Sequence, residues 1–233
     1  MLIAAREMMA RRRGGGGRLQ YLEWVQSDGR ARVETGFVLP SITYYVEVVA
    51  AMTAVSNANK YFLCAGSPGY ADSGVAGAGV GWCWFGKHSD RQHCIFFGRR
   101  RYWCASNAGN WAGSAMHSIG YAVQFGRVVN YKLDGVAVTF QNEGATSSLS
   151  ADIGTAPMQV FGGGLQGVAD NVRIRRVAVH SGSGSLTPLL CDFRAARIGR
   201  VAGLYDMVSG SFAQAVDGDL LCGGVVADPE QEI

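Results

Sequence analysis

The chain has 233 residues, 48% of them apolar and 17% charged, which excludes global disorder and leaves enough apolar material for a sizeable core. Its formal charge of +3 gives no footing for nucleic-acid binding, and its 33 glycines, about twice the usual share, lack both a collagen period and helical periodicity. The length fits one large β domain.

The chain begins MLIAAREMMARRRGGGG. Residues 2–13 predict a short amphipathic helix carrying Leu2, Ile3, Met8 and Met9, followed by Arg11, Arg12 and Arg13 and a hinge of four glycines, Gly14 to Gly17. Residues 1–18 therefore read as an arm and linker, either a solvated tail or a segment that docks on a neighbouring subunit through the three arginines. Its apolar stretch precedes the arginines, the reverse of a secretory signal, and no apolar run reaches the 18 residues of a membrane span.

From Leu19 the pattern becomes short runs rich in Val, Ile, Tyr, Phe and Trp between turn residues. Strands are predicted at 43–49, 60–64, 121–126, 128–133, 136–140, 157–161, 171–179 and 189–193. Asp134-Gly135 between two alternating runs predicts a tight hairpin. In the run Asn171-Val-Arg-Ile-Arg-Arg-Val-Ala-Val179 the alternation slips at Arg175-Arg176, which predicts a β-bulge. Turns every eight to twelve residues, with no interior helix, predict an all-β antiparallel sandwich of jelly-roll type over 19–228, with 229–233 as a tail.

Near the end, VAGLYDMVSGSF at 201–212 is too polar and glycine-punctuated for an ordinary buried strand. Together with Cys191-Asp-Phe-Arg-Ala-Ala-Arg197, with Tyr21-Leu-Glu-Trp-Val-Gln-Ser-Asp-Gly-Arg-Ala-Arg-Val-Glu-Thr-Gly-Phe37 at the start and with Tyr131-Lys-Leu-Asp-Gly-Val136 in the middle, it resembles the concanavalin A-like, laminin G-type jelly-roll modules of phage and gut-bacterial surface proteins. Those modules open "YLES-x-G-x-Q-Y-I-D-T-G" and close "DF-x-PA-R … GLYD-x-V-(S/T)-G-x-F"; Glu34 stands where they usually have Asp. The resemblance spans roughly Leu19 to Val226 and implies fold more than activity. In that frame 201–212 is a clasp: Leu204-Tyr205 plugs the core edge, Asp206 bonds the amides of Val208 to Gly210, and the segment is tied to the strand near Thr35-Gly36-Phe37.

Chemistry-bearing patterns are sparse. A retaining glycosidase of this broad fold needs paired carboxylates, usually on an E-x-D-x-x-E strand, and none occurs. No nucleophile elbow accompanies His88, His93, His117 or His180, so the chain reads as a non-enzyme. The glycine runs at 77–81 and 162–164 lack the Lys-Ser/Thr of a phosphate loop and read as turns. Six cysteines at 64, 83, 94, 104, 191 and 222 form no C-x-x-C pair and read as free thiols; His88, His93, Cys94 and Cys104 match no metal-site spacing. No cofactor is expected. The resemblance leaves room for calcium on the loops, with Asp72, Asp90 and Asp170 too scattered to define a site.

Residues 66–117 interleave Gly, Ser and Asn with aromatics. Tyr70, Trp82, Trp84, Trp103 and Trp111 are the candidates for stacking on sugar faces, against the alternative that this aromatic set packs into the core or an interface. The leading expectation is a non-enzymatic structural or adhesion module of a phage virion or phage-like particle, self-associating or meeting other virion proteins through the arm. A lectin-like module engaging cell-surface glycans through this aromatic loop region is the alternative.

Overall fold

The structure is a computed structural model and describes residues 17–40, 43–53, 60–65, 81–88, 91–97, 100–104, 115–124, 127–143, 157–162 and 170–227; for most of residues 60–104 and for 140–143 the description is of backbone register. The described residues form nineteen strands and no helix. In chain order these are Leu19–Leu22 (β1), Val25–Ser27 (β2), Arg32–Glu34 (β3), Thr43–Met52 (β4), Lys60–Ala65 (β5), Gly81–His88 (β6), Arg91–Phe97 (β7), Arg100–Cys104 (β8), His117–Gln124 (β9) and Arg127–Leu133 (β10). Val136–Ala137 (β11), Phe140–Glu143 (β12), Met158–Val160 (β13), Val172–His180 (β14), Leu189–Ile198 (β15), Val201–Asp206 (β16), Phe212–Val216 (β17), Leu220–Cys222 (β18) and Val225–Val226 (β19) complete them.

Every pairing is antiparallel. One sheet runs β11-β10-β9-β4-β14-β15-β16-β17, with β1 taking over from β14 along the far half of β15 and β2 pairing the near end of β14. The other runs β12-β8-β7-β6-β5-β13-β3 and meets the first through β17, which pairs both β16 and β3. The expected all-β antiparallel β-sandwich of jelly-roll type is the observed architecture.

Period-two alternation builds the core between the sheets. On β4, Tyr44, Val46, Val48, Ala50 and Met52 face inward and are fully buried, and β14 matches them with Val172, Ile174, Val177 and Val179. Val33, Leu63 and Val160 close the cluster from the opposite sheet. Each buried aliphatic or aromatic side chain contributes about 1.5–3 kcal/mol of transfer free energy, which makes this layer the main source of stability.

The two local sequence signals fall where expected. The register of β14 on β4 shifts between Ile174 and Arg176, which is the bulge read from the doubled arginine. Asp134 (φ 51°) and Gly135 (φ 78°) are both left-handed, as a two-residue type I′ turn requires. The strand after that turn is shorter than predicted: β11 ends at Ala137, and Phe140 opens β12 in the other sheet.

The clasp needs three corrections. Its first half, Val201–Asp206, which its composition made too polar for an ordinary buried strand, is a strand whose last four residues are buried. Gly203 is required by packing, since a Cβ there would lie 2.3 Å from the Ala213 carbonyl oxygen of β17. It is the chain just after the segment, Ala215 and Val216 of β17, that pairs Val33 and Arg32 of β3, whereas Thr35 and Phe37 bond the backbone of Met158 instead, because β13 occupies that edge.

The Asp206 turn behaves as read and Leu204 joins the main core, whereas Tyr205 does not plug the core edge. The Asp206 carboxylate accepts hydrogen bonds from the amides of Asp192 (2.8 Å), Val208 (3.1 Å) and Ser209 (3.2 Å), and its carbonyl accepts from the Gly210 amide. Tyr205 is buried edge-on to Tyr21 at 6.2 Å, with Ala196 and Phe212 completing a small cluster on the outer side of the sheet.

Candidate functional site

Of the residues singled out for ligand or subunit contact, Tyr70, Trp111, Arg11, Arg12 and Arg13 lie outside the described residues. Trp82 and Trp84 sit on β6 and Trp103 on β8, on strands and not in the expected aromatic loop region, and the ladder decides which sheet face each belongs to. Residues directly opposite in a pair share a face, and neighbours along a strand alternate. Fully buried Val33 and Val160 pair each other, Val160 pairs buried Leu63, and Leu63 pairs Cys83, so Cys83 is on the core face.

The next row lies on the opposite face. Glu34, which is exposed, pairs Gln159; Gln159 pairs Cys64, Cys64 pairs Trp82, Trp82 pairs Phe96, Phe96 pairs Arg101 and Arg101 pairs Glu143. The adjacent row runs Tyr61, Trp84, Cys94, Trp103, Gln141. All three tryptophans therefore belong to the outer face of this sheet, with Arg101, Gln141 and Glu143 beside them. Trp82 and Trp84 are separated by two residues along a strand, roughly 7 Å, and Trp84 and Trp103 by two strands, roughly 10 Å.

The same parity divides the residues considered for a metal. His93 pairs Phe85 and shares the core face, while Cys94 is on the outer face with Trp84. Among the described residues no three metal-ligating side chains gather.

A second polar constellation, which sequence reading did not single out, occupies the outer face of the β4-β14-β15 sheet. The Arg176 guanidinium donates side-on to Asp192, Nε to Oδ1 at 2.7 Å and Nη2 to Oδ2 at 3.4 Å, while its Nη1 reaches Glu47 Oε2 at 3.0 Å. Arg194 Nη2 donates to Asp192 Oδ2 at 2.9 Å, and Ser118 Oγ to Glu47 Oε1 at 3.1 Å. Asp192, at 6% side-chain exposure, is the buried pivot, and forked Arg–carboxylate geometry makes this a rigid network. Alternation carried a signal for it: Arg176 on β14 and Asp192 and Arg194 on β15 share a parity, but pairing across 16 to 129 residues is not local information.

Beside the network lies a cavity of about 240 Å³, at the point where β15 exchanges β14 for β1 and the bulge displaces Arg175. Tyr21, Val49, Arg175, Arg176, Arg194 and Val226 are among its lining. Further along the same face Tyr45 lies over Gly120 and edge-on to His180 at 5.9 Å; burial, with the Glu47 charge adding, raises its pKa above the ordinary phenol value.

No family model and no curated protein matches the chain. Among solved structures it is similar to a protein named as a "putative carbohydrate binding protein" from Bacteroides ovatus, with a TM-score of 0.56 and 9% sequence identity over 89% of this chain. The match covers 62% of that protein's length. At this identity the likeness is one of fold.

Proposed function

We propose that the chain is a non-enzymatic, concanavalin A-like carbohydrate-recognition module. The observation that carries this reading is the register that brings Trp82, Trp84 and Trp103 onto one outer sheet face with Arg101, Gln141 and Glu143 in the same rows. Flat rings beside polar groups on a regular sheet match the alternating apolar and hydroxyl character of sugar faces. The fold neighbour's name agrees with this class of ligand. The missing E-x-D-x-x-E pattern supports binding without hydrolysis.

The test is a screen of the full chain against neutral and acidic oligosaccharides, followed by titration of Trp84→Ala and Trp103→Ala. Loss of stacking on one ring lowers affinity by about tenfold in each variant while the melting temperature stays within a few degrees. Full affinity in both variants, or no glycan bound by the native chain, refutes the reading.

A place in a phage-like particle, with the Arg11–Arg13 arm as the assembly element, belongs to the same proposal and has its support in the sequence of the arm. Light scattering of the full chain beside one starting at Gln20 tests it: a discrete oligomer that becomes a monomer on truncation supports the assembly role, and two monomers end it.

A further inference from the structure

The cavity at the β14 bulge is on the opposite sheet from the tryptophan rows. Its charge is unbalanced. Arg175, Arg176 and Arg194 bring three guanidinium groups to it, and among the described residues the carboxylates paired with them are Asp192 and Glu47, leaving one formal positive charge. Arg175 is exposed and forms no ion pair among the described residues. Arg194 spends one nitrogen on Asp192, and its Nε is buried without a hydrogen-bond partner. The Arg194 side chain as a whole is 26% exposed, so a ligand oxygen can gain a charge-assisted bond at the accessible edge of its guanidinium.

Shape narrows the ligand further. About 240 Å³ is smaller than a drug-sized pocket and admits one ring or one acidic group with its first neighbours. Tyr21 supplies an aromatic edge, held in place by Tyr205 and by its hydroxyl on the Met207 sulfur at 3.2 Å. Arg176 is held by three hydrogen bonds to Asp192 and Glu47, so the donors open to a ligand are those of Arg175 and the accessible edge of the Arg194 guanidinium, with Arg176 as a background charge.

We propose that this cavity is a second binding site, taking the oxyanion of an acidic saccharide, a carboxylate or a sulfate. The sugar part of this proposal rests on the carbohydrate reading above; the oxyanion part rests on the three arginines alone. The bulge is what creates the site, because one additional residue in β14 places two consecutive arginines where a regular strand would send one of them to the other face.

The experiment is calorimetric titration of the full chain with a hexuronate tetrasaccharide, with the same tetrasaccharide after reduction of its carboxyl groups, and with a sulfated neutral tetrasaccharide. Binding of the uronate, loss of affinity on carboxyl reduction, and weakening with added salt are expected. Arg175→Gln lowers that affinity by about tenfold, and Arg194→Lys, which keeps the charge and removes the guanidinium fork, lowers it further. Equal or tighter binding of the sulfated sugar identifies the oxyanion as such and supports the site. Equal affinity for the reduced and acidic sugars overturns the proposal. So does full uronate affinity in Arg175→Gln, whose exposed position makes it safe for folding. Loss in Trp84→Ala together with no effect of Arg175→Gln removes this site and leaves the tryptophan face standing.

Discussion

Replacing Asp206 with alanine tests the clasp at its centre. Three backbone amides and the Ser209 hydroxyl donate to this carboxylate, which is 4% exposed. The Val208 and Ser209 amides are near the surface and regain water when the acceptor goes, so each is worth about 0.5–1 kcal/mol, while the Ser209 hydroxyl turns to Ser211 Oγ at 2.8 Å or to water at little cost. The Asp192 amide is buried and has no alternative, and an orphaned buried donor costs about 1–3 kcal/mol. The expected destabilisation is therefore about 2–5 kcal/mol, a large share of the ~5–15 kcal/mol of an ordinary domain. For a chain of this size it corresponds to a fall in melting temperature of roughly 5–15 °C. Urea unfolding followed by tryptophan fluorescence, with Asp206→Asn beside it, measures this. Asn keeps one acceptor oxygen and is expected to lose less. A loss below ~0.5 kcal/mol in Asp206→Ala would show that the clasp carries no stability and that β16 and β17 are held by their ladder alone.

Three further outcomes follow from the packing and the charges. Gly120→Ala places a Cβ 1.7 Å from the Tyr45 hydroxyl, so the ring must leave the sheet face; the expected loss is about 1–3 kcal/mol, strongly non-additive with Tyr45→Leu in a double-mutant cycle. The Asp28 carboxyl is held well below the ordinary carboxylate range by the amides of Ala31, Arg30 and Asp219. With the folded pKa depressed, its stabilisation is present above about pH 4 and is lost as pH falls toward the folded value, so Asp28→Asn is expected to flatten the acid limb of a stability–pH curve. Burial and the nearby Asp206 and Asp192 charges push the Cys191 thiol up, whereas Cys222 is exposed. Iodoacetamide followed by peptide mass spectrometry is expected to alkylate Cys222 in the native protein and Cys191 only after unfolding.

Much of the frame was legible in local pattern. The alternation of β4 and β14, the Asp-Gly turn and the doubled arginine are features of a few consecutive residues, and each has one geometric solution. The same holds for Asp206, whose turn partners lie within four residues of it. The error over Val201–Asp206 is equally physical: glycine lowers strand propensity, and only the approach of β17 shows why Gly203 is tolerated in a buried strand.

Long-range pairing settled the rest. Trp82 and Trp84 share a parity whatever the fold, but the side of the sheet they occupy follows from a chain of pairings through Leu63, Val160 and Val33, which no local pattern contains. Likewise the arginines at 175, 176 and 194 read along the chain as solvated charge. They become one cavity only because β15 leaves β14 for β1 beside the bulge. Sequence by itself determined the longer strands of the first sheet, the Asp-Gly turn and the sandwich, since these answer to side-chain period and backbone preference; tertiary structure decided that 81–88, 91–97, 100–104 and 201–206 are strands, which faces meet solvent and which charges meet each other, since these depend on register between distant segments.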